Sequence, residues 1–265
     1  MNIWTEKSIA LASQKNYLDL LYKVYPMSIN LRRELSAGVT ASITKLFEDR
    51  NSSELLKTLL KLEIFPIKDS YVAYLKADKT AIDRNPNTVE RITGMLYEMG
   101  LDEILDKASS PKETNRQIGP LFKRWVNSGS LGVKVTNDHK ELIEYEGNIV
   151  LDGSDAVMQS FAKEHLGYGH GKGLDFIGKF NNKYVIAEAK FLTAVGGHQN
   201  AQFNDAILTM KSDINTDKTV VKIAILDGII FIKGNTKMYK SITQDFDDSE
   251  VIISSVLLRD YLFSI

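Results

Sequence analysis

Hydrophobic residues in the N-terminal half of the chain recur at helical spacing. Over residues 28–47 they fall three or four residues apart, which is the period of one helix face. Similar stripes predict helices over residues 9–24, 53–62 and 88–99, the last bounded by Pro86 and Gly100. Pro120 is expected either to begin or to kink a further helix that carries Phe122 and Trp125. Residues 1–128 are therefore predicted to be mostly helical.

From residue 131 onward the hydrophobic period shortens to that of strands. The predicted strands cover residues 132–135, 142–145, 149–151, 174–180, 183–191, 220–226 and 229–232. Two amphipathic helices interrupt them, over residues 155–166 and 201–214, and the second is expected to cross over between parallel strands. The expected fold is α/β, a mixed β-sheet core flanked by helices, with the α/β core over residues 129–265 and the helical region of residues 1–128 packed on it.

Residues 174–180 and 183–191 predict a β-hairpin whose turn is Asn181-Asn182, because Asn tolerates the positive φ of a tight turn. If the last residue before the turn faces the first after it, Asp175 lies directly opposite Glu188. Side chains alternate along a strand, so Lys190 shares the face of Glu188, while the other face is apolar. Two carboxylates and one ammonium are thus expected on one face of the hairpin.

Such a pair of acids suits a divalent cation. Like charges directly opposite one another destabilise a sheet by up to ~1 kcal/mol, and a cation between them reverses that cost. Oxygen ligands favour Mg²⁺, which is typically completed by water and a substrate phosphate, and Lys190 could then act on the same phosphate or on the attacking water. A second interpretation stays open, in which Lys190 neutralises Asp175 and Glu188 without any ion, and a β-bulge would break the pairing.

These residues resemble the PD-(D/E)xK nuclease superfamily. Here Leu174-Asp175 is followed, after twelve residues, by Glu188-Ala189-Lys190, although Leu174 stands where the motif has Pro. Residues 115–125 and 196–205 resemble type II restriction endonucleases in particular, so the resemblance extends over about residues 112–210. It implies a restriction-endonuclease-like fold and an Mg²⁺ ion bound by Asp175, Glu188 and the Ala189 backbone carbonyl, with Lys190 as the catalytic lysine.

Many members of this superfamily add a glutamate from the helix that precedes the first motif strand, which implies Glu164 as a further catalytic residue. Glu164 stands in the last turn of the predicted helix over residues 155–166, where the helix dipole disfavours an acid. A local cation would explain its position, and so would the neighbouring Lys163 and His165.

Candidate DNA contacts fall in two groups. Residues 107–140 contain seven Lys or Arg residues and only two acidic residues. Such an excess of positive charge suits contacts with DNA phosphates, although a solvated basic face explains it equally well. Polar side chains also cluster at the start of the predicted crossover helix, where amides can read base edges or instead hold backbone groups. The candidates are Arg116, Lys123, Arg124, Lys172 in a glycine-rich loop, His198, Gln199, Asn200, Gln202 and Asn204.

Composition removes several other classes of function. The 265 residues include no cysteine, which excludes disulfides, thiolate zinc sites and a cysteine nucleophile. No run approaches the ~18 apolar residues of a membrane span, and the first residues lack the layout of a signal peptide, so we expect a cytoplasmic protein without membrane contact. Walker A, Gly-x-Ser-x-Gly and His-Glu-x-x-His patterns do not occur.

The resemblance implies an Mg²⁺-dependent type II restriction endonuclease that hydrolyses both strands of duplex DNA at a short specific site. A homodimer would match a palindromic site, and a cognate DNA methyltransferase is expected as a neighbouring gene and not as a subunit. Two alternatives are a repair or junction-resolving nuclease of the same superfamily and a non-catalytic DNA-binding module.

Overall fold

A mixed β-sheet organises the C-terminal part of the chain in the computed structural model, which describes residues 1–27, 34–110 and 115–265. Its six strands, counted within those ranges, lie in the sheet in sequence order. They are β1 (Lys134–Thr136), β2 (Ile149–Leu151), β3 (Phe176–Phe180), β4 (Lys183–Leu192), β5 (Val220–Gly228) and β6 (Val251–Ile253). β3 runs antiparallel to β2 and β4, and the other neighbouring pairs are parallel.

Helices make up most of the remaining described chain. They are α1 (Ile3–Ala12), α2 (Tyr17–Val24), α3 (Ala37–Glu48), α4 (Ser52–Leu60), α5 (Ser70–Ala77), α6 (Ala81–Arg84), α7 (Pro86–Met99), α8 (Leu101–Ala108), α9 (Asn115–Asn127), α10 (His139–Glu144), α11 (Asp155–Leu166), α12 (Gly197–Met210), α13 (Lys237–Gln244) and α14 (Leu258–Ser264). Short 3₁₀ helices cover Ile229–Phe231 and Ser255–Leu257. None of the helices in the described ranges combines the length and hydrophobicity needed to cross a bilayer.

The chain divides into two compact units, Met1–Met27 with Thr114–Ile265, and Ser28–Glu113. This division differs from the predicted boundary at residue 128. Helices α1, α2 and α9, which the sequence assigned to the helical region, belong to the unit that contains the sheet. Their apolar residues are buried with those of the strands, which is why they group with the sheet.

Both faces of the central strand β4 are buried, and this explains its nearly continuous apolar sequence. On one face, Val185, Ala187 and Ala189 pack in one cluster with residues of α2 and α9. On the other face, Ile186 packs with α11 and Leu192 packs with α12. The polar residues of β4 that carry the candidate chemistry therefore lie in an otherwise apolar layer.

Several predicted elements of the unit with the sheet need correction. The helix predicted over residues 9–24 is interrupted between α1 and α2, and residues 142–145, predicted as a strand, lie in or next to α10. Asp138 caps α10 by accepting a hydrogen bond from the Lys140 backbone N at 2.8 Å, and this cap favours a helix. Residues 229–232 also form no strand, because Gly228, at φ 89°, turns the chain into a 3₁₀ helix. Pro120 lies inside α9 and does not begin it.

Unit Ser28–Glu113 is helical where it is described. Helices α4 and α7 confirm the helices predicted over residues 53–62 and 88–99 to within two residues at each end, and α3 covers the second part of the helix predicted over residues 28–47. Residues 28–33 of that prediction lie outside the described residues. Leu55, Leu59, Ile92 and Leu96 are fully buried in the core of this unit. Its packing on the sheet stays a prediction.

Candidate active site

The β3–β4 hairpin has the predicted register. Phe180 pairs with Lys183, and the turn residues Asn181 and Asn182 take positive φ values of 48° and 63°, as a two-residue turn requires. The paired ladder ends at Phe176, so Asp175 lies one residue beyond it, and the predicted pair of Asp175 with Glu188 is not a rung of the ladder.

Backbone groups of the facing strand hold Asp175 in place. Its backbone N donates to the Ala187 carbonyl at 3.0 Å, and its Oδ2 accepts a hydrogen bond from the Ala189 backbone N at 2.9 Å. The latter bond replaces a rung of the ladder with a contact from a side chain. Asp175 is therefore fixed beside the segment that carries Glu188 and Lys190.

The two acids and the lysine converge on one point. Lys190 Nζ lies 3.1 Å from Asp175 Oδ2 and 2.7 Å from Glu188 Oε1. The side chains of Glu188 and Asp175 are only 6% and 13% exposed, and that of Lys190 is 23% exposed. Burial by itself lowers the pKa of Lys190, but the charges of Asp175 and Glu188 and their hydrogen bonds outweigh it and raise that pKa. Lys190 is thus a cation held between the two carboxyl groups.

Glu188 has further partners behind and beside it. The Thr209 hydroxyl donates to Glu188 Oε2 at 3.2 Å, and Lys172 Nζ lies 3.9 Å from Glu188 Oε1. Lys172, which comes from the loop before β3, also forms an ion pair with Asp205 of α12. Each oxygen of the Glu188 carboxylate therefore has its own neighbours, a buried hydroxyl on one side and cations on the other.

A cavity of about 270 Å³ opens beside this cluster. It is lined by Ile118, Gly119 and Pro120 of α9, Asp155, Asp175, Ala189, Lys190, Phe191 and Gln202. Residues of α9, α11, α12 and β4, together with Asp175, thus surround one open space.

Lys123 connects two of these helices. Its Nζ donates to the Gly153 carbonyl at 3.2 Å and forms an ion pair with Asp155 in the first turn of α11. Asp155 in turn packs against Gly173, where an added Cβ would lie 2.7 Å from the Asp155 Cβ. The ammonium of Lys123 therefore already has protein partners, which favours a structural role over the predicted phosphate contact.

Glu164 does not join the cluster. Its side chain is 66% exposed, with His165 Nε2 3.8 Å away, and no three His, Cys, Asp or Glu side chains of the described residues come together as a metal-binding group. Asp155, at the other end of α11, is the acid of this helix that lines the cavity. The sequence carried one signal for this arrangement, because Ser154, which caps the start of α11, fixes Asp155 in the first turn of that helix.

The polar side chains of α12 separate into three environments. Gln199 is 6% exposed and its Oε1 accepts a hydrogen bond from the Thr193 backbone N at 3.0 Å, which is a structural role. Gln202 lines the cavity at Asp175, and its Nε2 lies 3.3 Å from His198 Nε2. Asn200 and Asn204 line a second cavity, of about 430 Å³.

This second cavity lies between α12 and α13. It has further polar lining residues in Asn235, Lys237, Lys240, Ser241, Gln244 and Asp245, with Phe203 and Met238 as its apolar residues. Of the other predicted DNA contacts, Arg124 is exposed on α9, and the side chain of Arg116 lies outside the described residues.

Comparison with protein families decides the class of the protein. The family model described as Tsp45I type II restriction enzyme matches residues 2–265. The chain belongs to this family. Comparisons with curated proteins and with solved structures found no match. Membership of the Tsp45I type II restriction enzyme family makes the chain a site-specific deoxyribonuclease that acts on double-stranded DNA as part of a restriction-modification system, as the resemblance implied. Type II restriction enzymes generally use a divalent metal ion.

Proposed function

We propose that this restriction enzyme is an Mg²⁺-dependent nuclease of the PD-(D/E)xK type whose catalytic residues are Asp175, Glu188 and Lys190. The observation that carries the proposal is the convergence of all three groups, with Lys190 Nζ within 3.1 Å of both carboxylates, beside an open cavity. An ion pair serving stability alone would have no need of that cavity.

The donor set fits a hard divalent cation. Mg²⁺ is usually bound by one or two carboxylates, with the remaining positions taken by water and substrate phosphate. Asp175 and Glu188 would supply the carboxylates, and the Ala189 carbonyl a third oxygen. When bound, Mg²⁺ supplies Lewis acidity towards the phosphodiester and makes water a stronger nucleophile.

Lys190 then has two roles in succession. In the free protein its ammonium balances Asp175 and Glu188, which removes the repulsion between them. With DNA present, the same ammonium turns to the scissile phosphate, where it offsets the negative charge that develops as the oxygen of water attacks phosphorus and the ester oxygen leaves. Lys190 also orients the attacking water through a hydrogen bond, so its position within reach of both acids matches both roles.

Substitutions of these residues test the proposal. Asp175→Ala and Lys190→Ala should abolish the discrete fragments that wild-type protein produces from plasmid DNA in Mg²⁺, while circular dichroism shows intact secondary structure. Lys183→Ala, on the same strand but outside the cluster, should cut normally. Full cutting by either of the first two variants would contradict the assignment. Cleavage that follows DNA junctions and not sequence would favour the repair nuclease.

Helix α11 has two acids that could assist Asp175 and Glu188, and the structure favours one of them. Asp155 lines the cavity, whereas Glu164 is exposed at the other end of the helix, so we propose Asp155 in place of Glu164. Parallel digests with Asp155→Asn and Glu164→Gln decide between them, since only the variant of the acting acid should cut slowly. Equal rates for both variants would remove an auxiliary acid from the mechanism.

We propose that DNA is read from both sides of α12. Gln202 reaches the scissile region, while Asn200 and Asn204 face the second cavity, where Lys237 and Lys240 are placed for phosphates. A two-fold dimer would present two such surfaces to a palindromic site. Light scattering with and without DNA tests the dimer, and a methyltransferase gene beside this one would support the restriction-modification partnership.

A further inference from the structure

Thr209 is buried directly behind the candidate cation site. Its side chain is fully buried on α12, and its hydroxyl donates to Glu188 Oε2 at 3.2 Å. Glu188 Oε1 faces the other way, towards Lys190 at 2.7 Å. The hydroxyl therefore distinguishes the two oxygens of the carboxylate and holds Oε1 on the side of Asp175.

The neighbouring Tyr168 has a hydroxyl that lacks a partner. Tyr168 is 3% exposed, and its hydroxyl makes no hydrogen bond to any residue that the structure describes. Burial raises the pKa of Tyr168, and the charge of Glu188 raises it further, because the hydroxyl lies near that carboxylate. Buried polar groups nearly always have a partner, so an unpaired hydroxyl beside Thr209 and Glu188 calls for a reason.

A threonine hydroxyl can serve both neighbours at once. It has one donor, which Glu188 takes, and acceptor lone pairs that remain free for Tyr168. A small shift of the Tyr168 side chain towards Thr209 would then give a chain of two hydrogen bonds that ends on Glu188 Oε2. Such chains behind a ligand carboxylate fix its orientation, and their loss typically lowers metal affinity about 10–100-fold.

We propose that Thr209 is a positioning residue that orients the Glu188 carboxylate towards the divalent cation, and that Tyr168 supports it by donating to the Thr209 hydroxyl. This inference rests on the proposed function, because it assumes that Glu188 binds the cation. It adds two residues, one from α12 and one from the loop before β3, that the cluster of Asp175, Glu188 and Lys190 does not include.

The proposal predicts a difference between two nearly isosteric variants. Thr209→Val keeps the shape and removes the hydroxyl, so the Mn²⁺ affinity of the full chain, measured by calorimetry with Mn²⁺ alone, should fall about 10–100-fold. The Mg²⁺ concentration for half-maximal plasmid cleavage should rise by a similar factor. Thr209→Ser keeps the hydroxyl and should bind Mn²⁺ nearly as wild type does. Tyr168→Phe should weaken Mn²⁺ binding about two- to tenfold, as loss of one neutral hydrogen bond allows.

The outcomes separate the inference from the proposed function. Asp175→Ala is the reference variant for the proposed function. If Asp175→Ala binds Mn²⁺ with wild-type affinity, the cation does not bind at this site and the proposed function itself is contradicted. If Asp175→Ala loses Mn²⁺ while Thr209→Val keeps wild-type affinity, only the positioning role is overturned. Equal losses in Thr209→Ser and Thr209→Val would assign the effect to shape and also overturn it. Should Thr209→Val fail to fold, Thr209→Ala and Tyr168→Phe take its place under the same criteria.

Discussion

Replacing Lys190 with methionine isolates the charge that holds the two acids together. At an effective dielectric constant of about 20, unit charges 3 Å apart attract by roughly 5–6 kcal/mol, but the cost of burying the ammonium cancels much of that. Removing one partner of a fully buried pair costs about 3–5 kcal/mol. Because 23% of the Lys190 side chain is exposed, we expect Lys190→Met to lower the free energy of unfolding by about 2–4 kcal/mol in EDTA.

Tryptophan fluorescence measures the loss of unfolding free energy in the unit that contains Lys190. The chain has two tryptophans, Trp4 and Trp125, and both lie in the unit formed by Met1–Met27 and Thr114–Ile265. At about 2–4 °C per kcal/mol for a unit of this size, the midpoint of thermal unfolding should fall by roughly 4–16 °C. Lys183→Met, on the same strand, is the matched control and should stay close to wild type.

Mg²⁺ should reverse the effect of Lys190→Met. Lys190 and the ion compete for the same carboxylate oxygens, so the variant should bind Mg²⁺ more tightly and gain more thermal stability from it than wild type does. The reasoning is refuted if Lys190→Met is as stable as wild type in EDTA. It is also refuted if Mg²⁺ stabilises both proteins equally.

Three further predictions concern other parts of the same unit. Burial raises the pKa of Asp227 from 3.8 to about 6, so its contribution to stability is present below pH 3.8 and is lost as the pH rises through 6. The free energy of unfolding of the wild type should therefore fall by about 3 kcal/mol between pH 4 and pH 7 through this group. Urea unfolding at both pH values should show that Asp227→Asn lacks this fall. Gly228 has φ 89°, and an added Cβ would lie 2.2 Å from the Leu192 carbonyl oxygen of β4, so Gly228→Ala should destabilise the unit by at least about 1–3 kcal/mol. Gly171→Ala is the control, because an added Cβ there has no atom within 4 Å, and it should have little effect on stability. Replacing Lys237 and Lys240 with alanine should weaken binding to all duplexes similarly and lower the salt slope by about 2, and an unchanged slope would remove them from the interface.

The hairpin with its chemistry could be predicted from local sequence. Two strand-forming segments, an Asn-Asn turn and a fixed count of residues between Asp175 and Glu188 determine most of the register. The ladder nevertheless ends one residue early, because the Asp175 carboxylate takes the Ala189 backbone N that a strand partner would otherwise use. Competition of this kind between side chain and backbone depends on exact geometry, which residue spacing does not encode.

Contacts between segments that lie far apart in the sequence could not be predicted in this way. Gln199 belongs to a polar run, yet it lies on the buried stripe of α12, four residues before Phe203, which itself lies three residues before Ala206. Thr209 continues that stripe and reaches Glu188, 21 residues earlier in the chain. A polar residue on an apolar stripe is the signal that could have identified Thr209, but its partner could be known only from the fold.

The position of Met1–Met27 is a further example of the same limit. The periodicity of α1 and α2 predicts helices, but it does not say which surface they cover. Tyr25 donates to Asp227 Oδ2 at 2.8 Å across 202 residues of sequence, and this contact helps to tie α2 to the end of β5. Helical period alone therefore predicts that these helices form, and the contact with β5 is visible only in the fold.

Anomalous diffraction from crystals of the wild-type protein grown with duplex DNA and Mn²⁺ would test the central claim most directly. The account predicts a Mn²⁺ peak bonded to carboxylate oxygens of both Asp175 and Glu188, with the Lys190 ammonium turned from the acids to a DNA phosphate. An anomalous map without a peak there, with Lys190 still between Asp175 and Glu188 while DNA lies elsewhere on the protein, would contradict it.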